Sequence, residues 1–211
     1  TLGMQDYTAV LLGAFLERRG RGQAAARVYQ ERYEATAPHP DPEITAGLAR
    51  VAASDRAPRF PRPHEAAARA LYAPAALLRA QAPVDYSALF LRLIERLDPD
   101  FQRNSLALAE LLEELELDQA ALSVYRGFET GPFATQAAVQ GAWLAFRSGE
   151  RDAALETART LAETDGREST RLVLADMLRA SGRCEQAAPI YEQVAAARHD
   201  AGLEADWRHL S

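Results

Sequence analysis

Small residues recur along this chain at a nearly constant interval: Ser87, Ala121, Ala154 and Ala187 stand 34, 33 and 33 residues apart. Four residues after each comes a second landmark, namely Leu91, Tyr125, Ala158 and Tyr191. An earlier phrase has the same form. Gly20-Arg21-Gly22-Gln23-Ala24-Ala25 leads to Tyr29, as Gly182-Arg183-Cys184-Glu185-Gln186-Ala187 leads to Tyr191. A period of this length predicts a stack of helix–turn–helix units, each burying its apolar face against its neighbours. Such stacks usually supply a binding surface rather than a reaction centre.

Composition narrows the function. The formal net charge of the 211 residues is −6, which argues against a nucleic-acid surface, normally basic on one face. Every one of the 24 basic residues is Arg. That bias fits a GC-rich bacterial genome, with selection for bidentate carboxylate recognition as the alternative. Cys184 is alone, so no disulfide can form within the chain. No apolar run approaches the roughly 20 residues needed to span a bilayer, so direct membrane insertion is not expected. The chain opens at Thr1 without a signal peptide, and Trp207-Arg208-His209-Leu210-Ser211 reads like the start of a further helix over 199–211. Both edges suggest an excerpt from a longer protein.

Apolar spacing predicts a helix over 7–19 carrying Val10, Leu11, Ala14 and Phe15, with Gly13 at a close approach between helices. Its antiparallel partner spans 23–36 with Ala25, Val28, Tyr29 and Tyr33 inward, and Pro38 and Pro40 end it. A lone helix at 42–53 carries Ile44, Leu48 and Val51 on one stripe. Residues 1–54 thus form one helix pair plus an extra helix. Pro58, Pro61 and Pro63 mark 55–63 as a proline-rich linker or wrapped segment, which explains the 62-residue gap between Ala25 and Ser87. Four pairs follow within 64–198, at about 64–81 with 85–97, 101–115 with 118–129, 134–148 with 151–163, and 168–181 with 184–198. Pro74 is expected to kink or break its helix.

These residues resemble the tetratricopeptide-repeat family, whose consensus has a Leu-Gly pair on the first helix and an Ala four residues before an aromatic on the second. Leu12-Gly13, Ala25, Tyr29 and Pro38 match in the first unit; Leu91 and Pro99 fill the aromatic and closing slots of the second. Leu108-Ala109, Leu112, Ala121 and Tyr125 match in the third, and Leu174-Ala175, Leu178, Ala187 and Tyr191 in the fifth. The fourth keeps Ala142 and Ala154 but has Ala158 where the aromatic belongs, and no unit carries the consensus Trp. The Ala/Arg-rich style is similar to long multi-repeat proteins of alphaproteobacteria, which favours a periplasmic parent over a cytoplasmic one. The resemblance implies an all-α, right-handed superhelical solenoid of about five antiparallel helix pairs with a proline-rich interruption.

In that family the first helix of each pair lines a concave groove that takes a peptide or protein partner. Carried over, this implies Tyr7, Val10, Ala14 and Glu17 in the first unit, then Arg69, Tyr72 and Arg79, Arg103 and Glu110, and Asp176 and Arg179 in later ones. Trp143, Phe146 and Arg147 form the most informative cluster, because residues three apart share a helix face and Trp and Arg are common interface anchors. The competing reading has both rings packed against the following helix, filling space left by Ala158. With no Lys and one Asn, Asn104, the family's carboxylate clamp is not reproduced, and Arg69, Arg79 and Arg103 would give a looser anionic grip. Glu110, Glu113, Glu114 and Glu116 read as a solvated face or the complement of a basic partner. The four His residues are scattered and no phosphate loop or nucleophile elbow occurs. No enzyme activity, cofactor or metal is therefore expected. The function expected is a protein-interaction scaffold. The alternative is a self-association segment whose groove is filled internally or by a second copy.

Overall fold

The computed structural model describes residues 2–81 and 84–200. Its elements are α1 (Leu2–Arg18), α2 (Gly22–Thr36), α3 (Pro42–Ala52), α4 (Pro63–Gln81), α5 (Val84–Leu97), α6 (Gln102–Glu114), α7 (Asp118–Arg126), α8 (Ala134–Arg147), α9 (Arg151–Asp165), α10 (Glu168–Ala180) and α11 (Cys184–Asp200). Every regular element among the described residues is helical. Helix α11 carries through 199–200, while 201–211, with Trp207, and residues 82–83, between the expected helices 64–81 and 85–97, lie outside the described residues. The chain divides into two compact units, residues 1–115 with 129–134 and residues 116–128 with 135–211.

The first unit is organised around Tyr29. Its ring lies between two helices that each present a glycine: a Cβ at Gly13 would fall 2.2 Å from the ring, and one at Gly47 would fall 2.6 Å from it. Glycine therefore lets α1 and α3 close on the ring from both sides. The Tyr29 hydroxyl donates to Glu17 Oε1 at 2.8 Å. Arg50 Nε and Nη2 donate to the two Glu17 oxygens at 2.8 and 2.7 Å. Burial pushes the Tyr29 hydroxyl's pKa up, and the adjacent Glu17 carboxylate adds to the rise. Burial would raise that of Glu17 as well, but the hydrogen bonds from Arg50 and Tyr29 outweigh it and hold the carboxyl below its ordinary range.

This arrangement rotates α1 away from the expected orientation. Tyr7, Ala9, Leu16 and Glu17 are buried, whereas Leu11, Leu12 and Phe15 face outward. Tyr33, one turn beyond Tyr29 on α2, is 36% exposed rather than inward. Asp41 caps α3 by accepting from the Glu43 backbone N–H at 2.9 Å, with Pro42 in the first turn, where its missing N–H costs nothing.

Residues 53–62 carry no helix, yet they are pinned. Arg59 donates through both Nη atoms to Glu65 at 2.6 Å, and Glu65 reaches back to the Arg62 N–H at 2.8 Å, as in a capping box. Arg18 stands over the Phe60 ring at 5.2 Å. The expected break at Pro74 does not occur. Helix α4 runs through it, and both Pro74 and Ala70, whose carbonyl loses its helical partner, are exposed so that water can serve instead.

In the second unit, the end of α8 is tied to the start of α7 by Ser148 Oγ donating to Asp118 at 3.0 Å. Arg126 at the end of α7 pairs with Glu150 ahead of α9 at 3.1 Å, and Arg183 pairs with Asp152 at 3.2 Å. Arg167 at the start of α10 donates to Thr135 in the first turn of α8 at 3.1 Å, so these two first helices begin side by side. Gly141 on α8 again accepts a tyrosine, with its absent Cβ 3.0 Å from that of Tyr125.

Two outcomes follow. Ala at Gly47 should gain helix propensity in isolation, but here the methyl meets the Tyr29 ring. Gly47→Ala and Gly13→Ala should each cost about 1–3 kcal/mol in denaturant unfolding. Glu17 has a depressed folded pKa, so its contribution is full above the ordinary value of 4.5 and disappears as pH falls through the lower folded value. Urea midpoints measured from pH 7 downward should therefore fall more steeply for the parent protein than for Glu17→Gln once the pH drops below 4.5, and the two slopes should converge below the folded value.

Candidate functional site

The expected partner-binding residues divide into a set the fold consumes and a set it leaves at the surface. In the first unit, Tyr7 of α1, Tyr72 of α4 and Phe101 ahead of α6 form an aromatic triangle with centroid distances of 5.0, 5.4 and 6.1 Å. The Tyr7 hydroxyl donates to the Arg69 carbonyl at 2.8 Å, and burial pushes its pKa well up. Tyr7 was expected to line an open groove; it is 3% exposed and closed off by its own chain.

Arg69 and Arg103 flank this triangle. The Arg69 guanidinium lies 5.8 Å from the Phe101 centroid, with its Nε 3.8 Å from Asp98. Arg103 is buried and stands over both Tyr7, at 5.5 Å, and Phe133, at 5.2 Å. Its Nε donates to Glu43 at 2.7 Å and its Nη2 to Asp41 at 2.8 Å, the same Asp41 that caps α3. Burial would lower the Arg103 pKa, but the carboxylates of Glu43 and Asp41 more than reverse this, and the group is held firmly protonated. The looser anionic grip expected of Arg69, Arg79 and Arg103 is thus spent inside the chain in the case of Arg103, which bolts the start of α6 to the start of α3. Glu110 is half-buried further along α6, and the side chain of Arg79 lies outside the described residues.

The second unit leaves more on offer. Trp143 and Phe146 of α8 meet edge to face at 5.8 Å with an interplanar angle of 72°, and Arg151 covers the Phe146 ring at 5.6 Å. Phe146 is buried, Trp143 half-buried and Arg147 exposed. The fold therefore treats the pair unequally: the phenyl is core and supports an indole that keeps an open edge. One repeat later stand Asp176 and Arg179 on α10, 33 residues after Trp143 and Phe146. The Tyr191 hydroxyl donates to Asp176, which ties α11 to α10; burial first and this carboxylate second raise the tyrosine's pKa. Arg179 remains exposed.

The opposite side of α8 is different. There a cavity of about 210 Å³ is walled by Ala137, Gly141, Ala142, Ala154, Tyr125 and Phe128, among others. Its two charged lining residues, Arg126 and Glu150, are paired with each other. Sequence reading missed this cavity and the two internal carboxylate–arginine clusters. The clusters join residues 33 to 62 positions apart and leave no local spacing to detect. The small-residue face of α8 was legible, but not what it enclosed. Among the described residues, no group of three or more His, Cys, Asp or Glu side chains is placed to hold a metal, and no helix is long and apolar enough to cross a membrane.

A tetratricopeptide-repeat family model matches residues 170–205, which begins on α10 and takes in α11. Residues 170–205 thus match a tetratricopeptide repeat. Among solved structures, the chain is similar over nearly its whole length to MamA. One MamA crystal structure shares 12% identity at a TM-score of 0.52, covering 96% of this chain and 97% of that one. MamA residues 41 to the end from Desulfovibrio magneticus RS-1 share 13% identity at a TM-score of 0.51, covering 95% and 98%. At such identities the likeness is one of fold. No curated protein matches the sequence.

The internal role of Arg103 is testable. Arg103→Ala would leave Asp41 and Glu43 without their counter-ion, and should cost about 3–5 kcal/mol in thermal or denaturant unfolding.

Proposed function

We propose that the chain is a non-enzymatic scaffold that docks a protein or peptide partner along the first-helix face of its second unit. The observation that carries this reading is Trp143: an indole braced by the buried Phe146, with one side uncovered, on the face of α8 that aligns with Asp176 and Arg179 of α10. A large aromatic held rigid before binding loses little entropy when a partner covers it. Arg147 and Arg179 add donors at the rim, and Asp176 adds a carboxylate, so the face suits a segment with an apolar anchor flanked by mixed charge. Arg69, Tyr72 and Arg103 belong to this reading only as supports, because their side chains brace the first unit. The tetratricopeptide fold supports a binding role over a catalytic one, since stacks of this kind present surfaces rather than reaction centres.

Trp143→Ala should keep the helicity and melting of the parent while weakening capture of its partners by about 30-fold, as for a central interface aromatic. Glu156→Ala on the outer side of α9 serves as the control and should capture as the parent does. Equal capture by both variants, with both folded, would remove Trp143 from the binding face.

A further inference from the structure

Helix α5 is apolar on two sides. Ser87, Leu91 and Ile94 are buried on its inner side, yet Tyr86, Leu89 and Leu93 are 56%, 66% and 45% exposed. Positions 86, 89 and 93 follow the steps of three and four residues that keep side chains on one helix face. Val84 at the same end and Leu77 on the paired helix α4 are exposed as well. Single exposed leucines are ordinary, but three large apolar groups in register on an outer face call for cover.

The charges at the ends of the helix indicate what covers it. Asp85 lies in the first turn and Arg96 in the last, both exposed, and neither has a hydrogen-bond or ion-pair partner among the described residues. Arg92, beside the stripe, is paired with Glu95 at 3.0 Å. Suppose a second α5 is laid antiparallel on the first, with Leu89 over Leu89. Tyr86 then faces Leu93 of the second copy, and Asp85 faces the end that carries its Arg92 and Arg96. The two-fold axis repeats both contacts, and the opposed helix dipoles add to the fit. A parallel arrangement would instead bring Asp85 onto Asp85 and Arg96 onto Arg96.

We propose that the chain forms a two-fold dimer through the outer face of α5, with Tyr86, Leu89 and Leu93 as the apolar seam and Asp85 and Arg96 as the charges that set its direction. This surface lies on a different helix from Trp143. One helix face per copy is a small interface, so the dimer is weak and depends on concentration.

Sedimentation velocity of the chain over about 1–200 μM should show the mass rising from that of one chain toward twice that value. Leu89→Glu should remain a monomer throughout. Asp85→Arg and Arg96→Asp should each weaken association at least about tenfold, by placing like charges opposite one another. The double variant Asp85→Arg/Arg96→Asp should restore it, since each reversed charge again meets its opposite on the other copy. This rescue cannot come from repair within one helix, where the two residues are eleven positions apart. A parent protein that stays monomeric, a dimer that survives Leu89→Glu, or a double variant no better than the single ones would each overturn the proposal. Should Leu89→Glu fail to fold, the charge-swap series decides alone.

Discussion

A phenol ring closed between two α-carbons that bear no side chain is the constraint on which the first unit depends. Tyr29 fills the space that Gly13 and Gly47 leave open, and its hydroxyl ends on Glu17, which Arg50 clamps through both oxygens. Three helices are thereby fixed by one ring and one ion pair. The ring sets the separation of α1 and α3 and the ion pair sets their register, because a bidentate guanidinium–carboxylate contact tolerates little sliding. A buried charge is costly unless it is fully partnered, and Glu17, shared between Tyr29 and Arg50, meets that condition.

The same economy explains why several residues that looked like binding groups are structural. Arg103 lies where a groove-lining cation was expected, but Asp41 and Glu43 reach it first, and Tyr7 and Phe133 close over its faces. In a chain with no lysine, arginine serves as both internal fastener and surface charge. Its planar fork and weak hydration suit it to the first role in a way an ammonium is not. The cap of α3 illustrates the point, since Asp41 satisfies a helix N–H and a buried guanidinium together.

Helix α8 shows how one element can present two unlike surfaces. Its alanine and glycine side faces a small apolar cavity whose charged rim is already paired, and its other side carries an indole propped by a phenyl. The two rings are treated differently by the fold: Phe146 is buried as core filler, and Trp143 is half-buried. On α5 the division runs the other way, with an apolar seam outside as well as in. Both cases separate what a helix needs in order to pack from what it has left over to offer.

The repeat period by itself determined that this chain is a succession of helix pairs, because the small-residue and aromatic slots of the second helices recur at an interval that only such units produce. Helix ends were also legible, since Gly, Pro and Asp act on their own neighbours in the chain. Even the special place of Gly13 was visible, although as a contact between helices rather than as a seat for a ring. Which side of α1 turns inward was decided only in three dimensions, where Tyr29 selected the Gly13 side over Leu11 and Phe15. So was the fate of Arg103, whose carboxylates arrive from about 60 residues away. The physical reason is common to both. Periodicity and turn chemistry are carried by neighbours along the chain, whereas burial and ion pairing depend on which distant groups arrive at the same place.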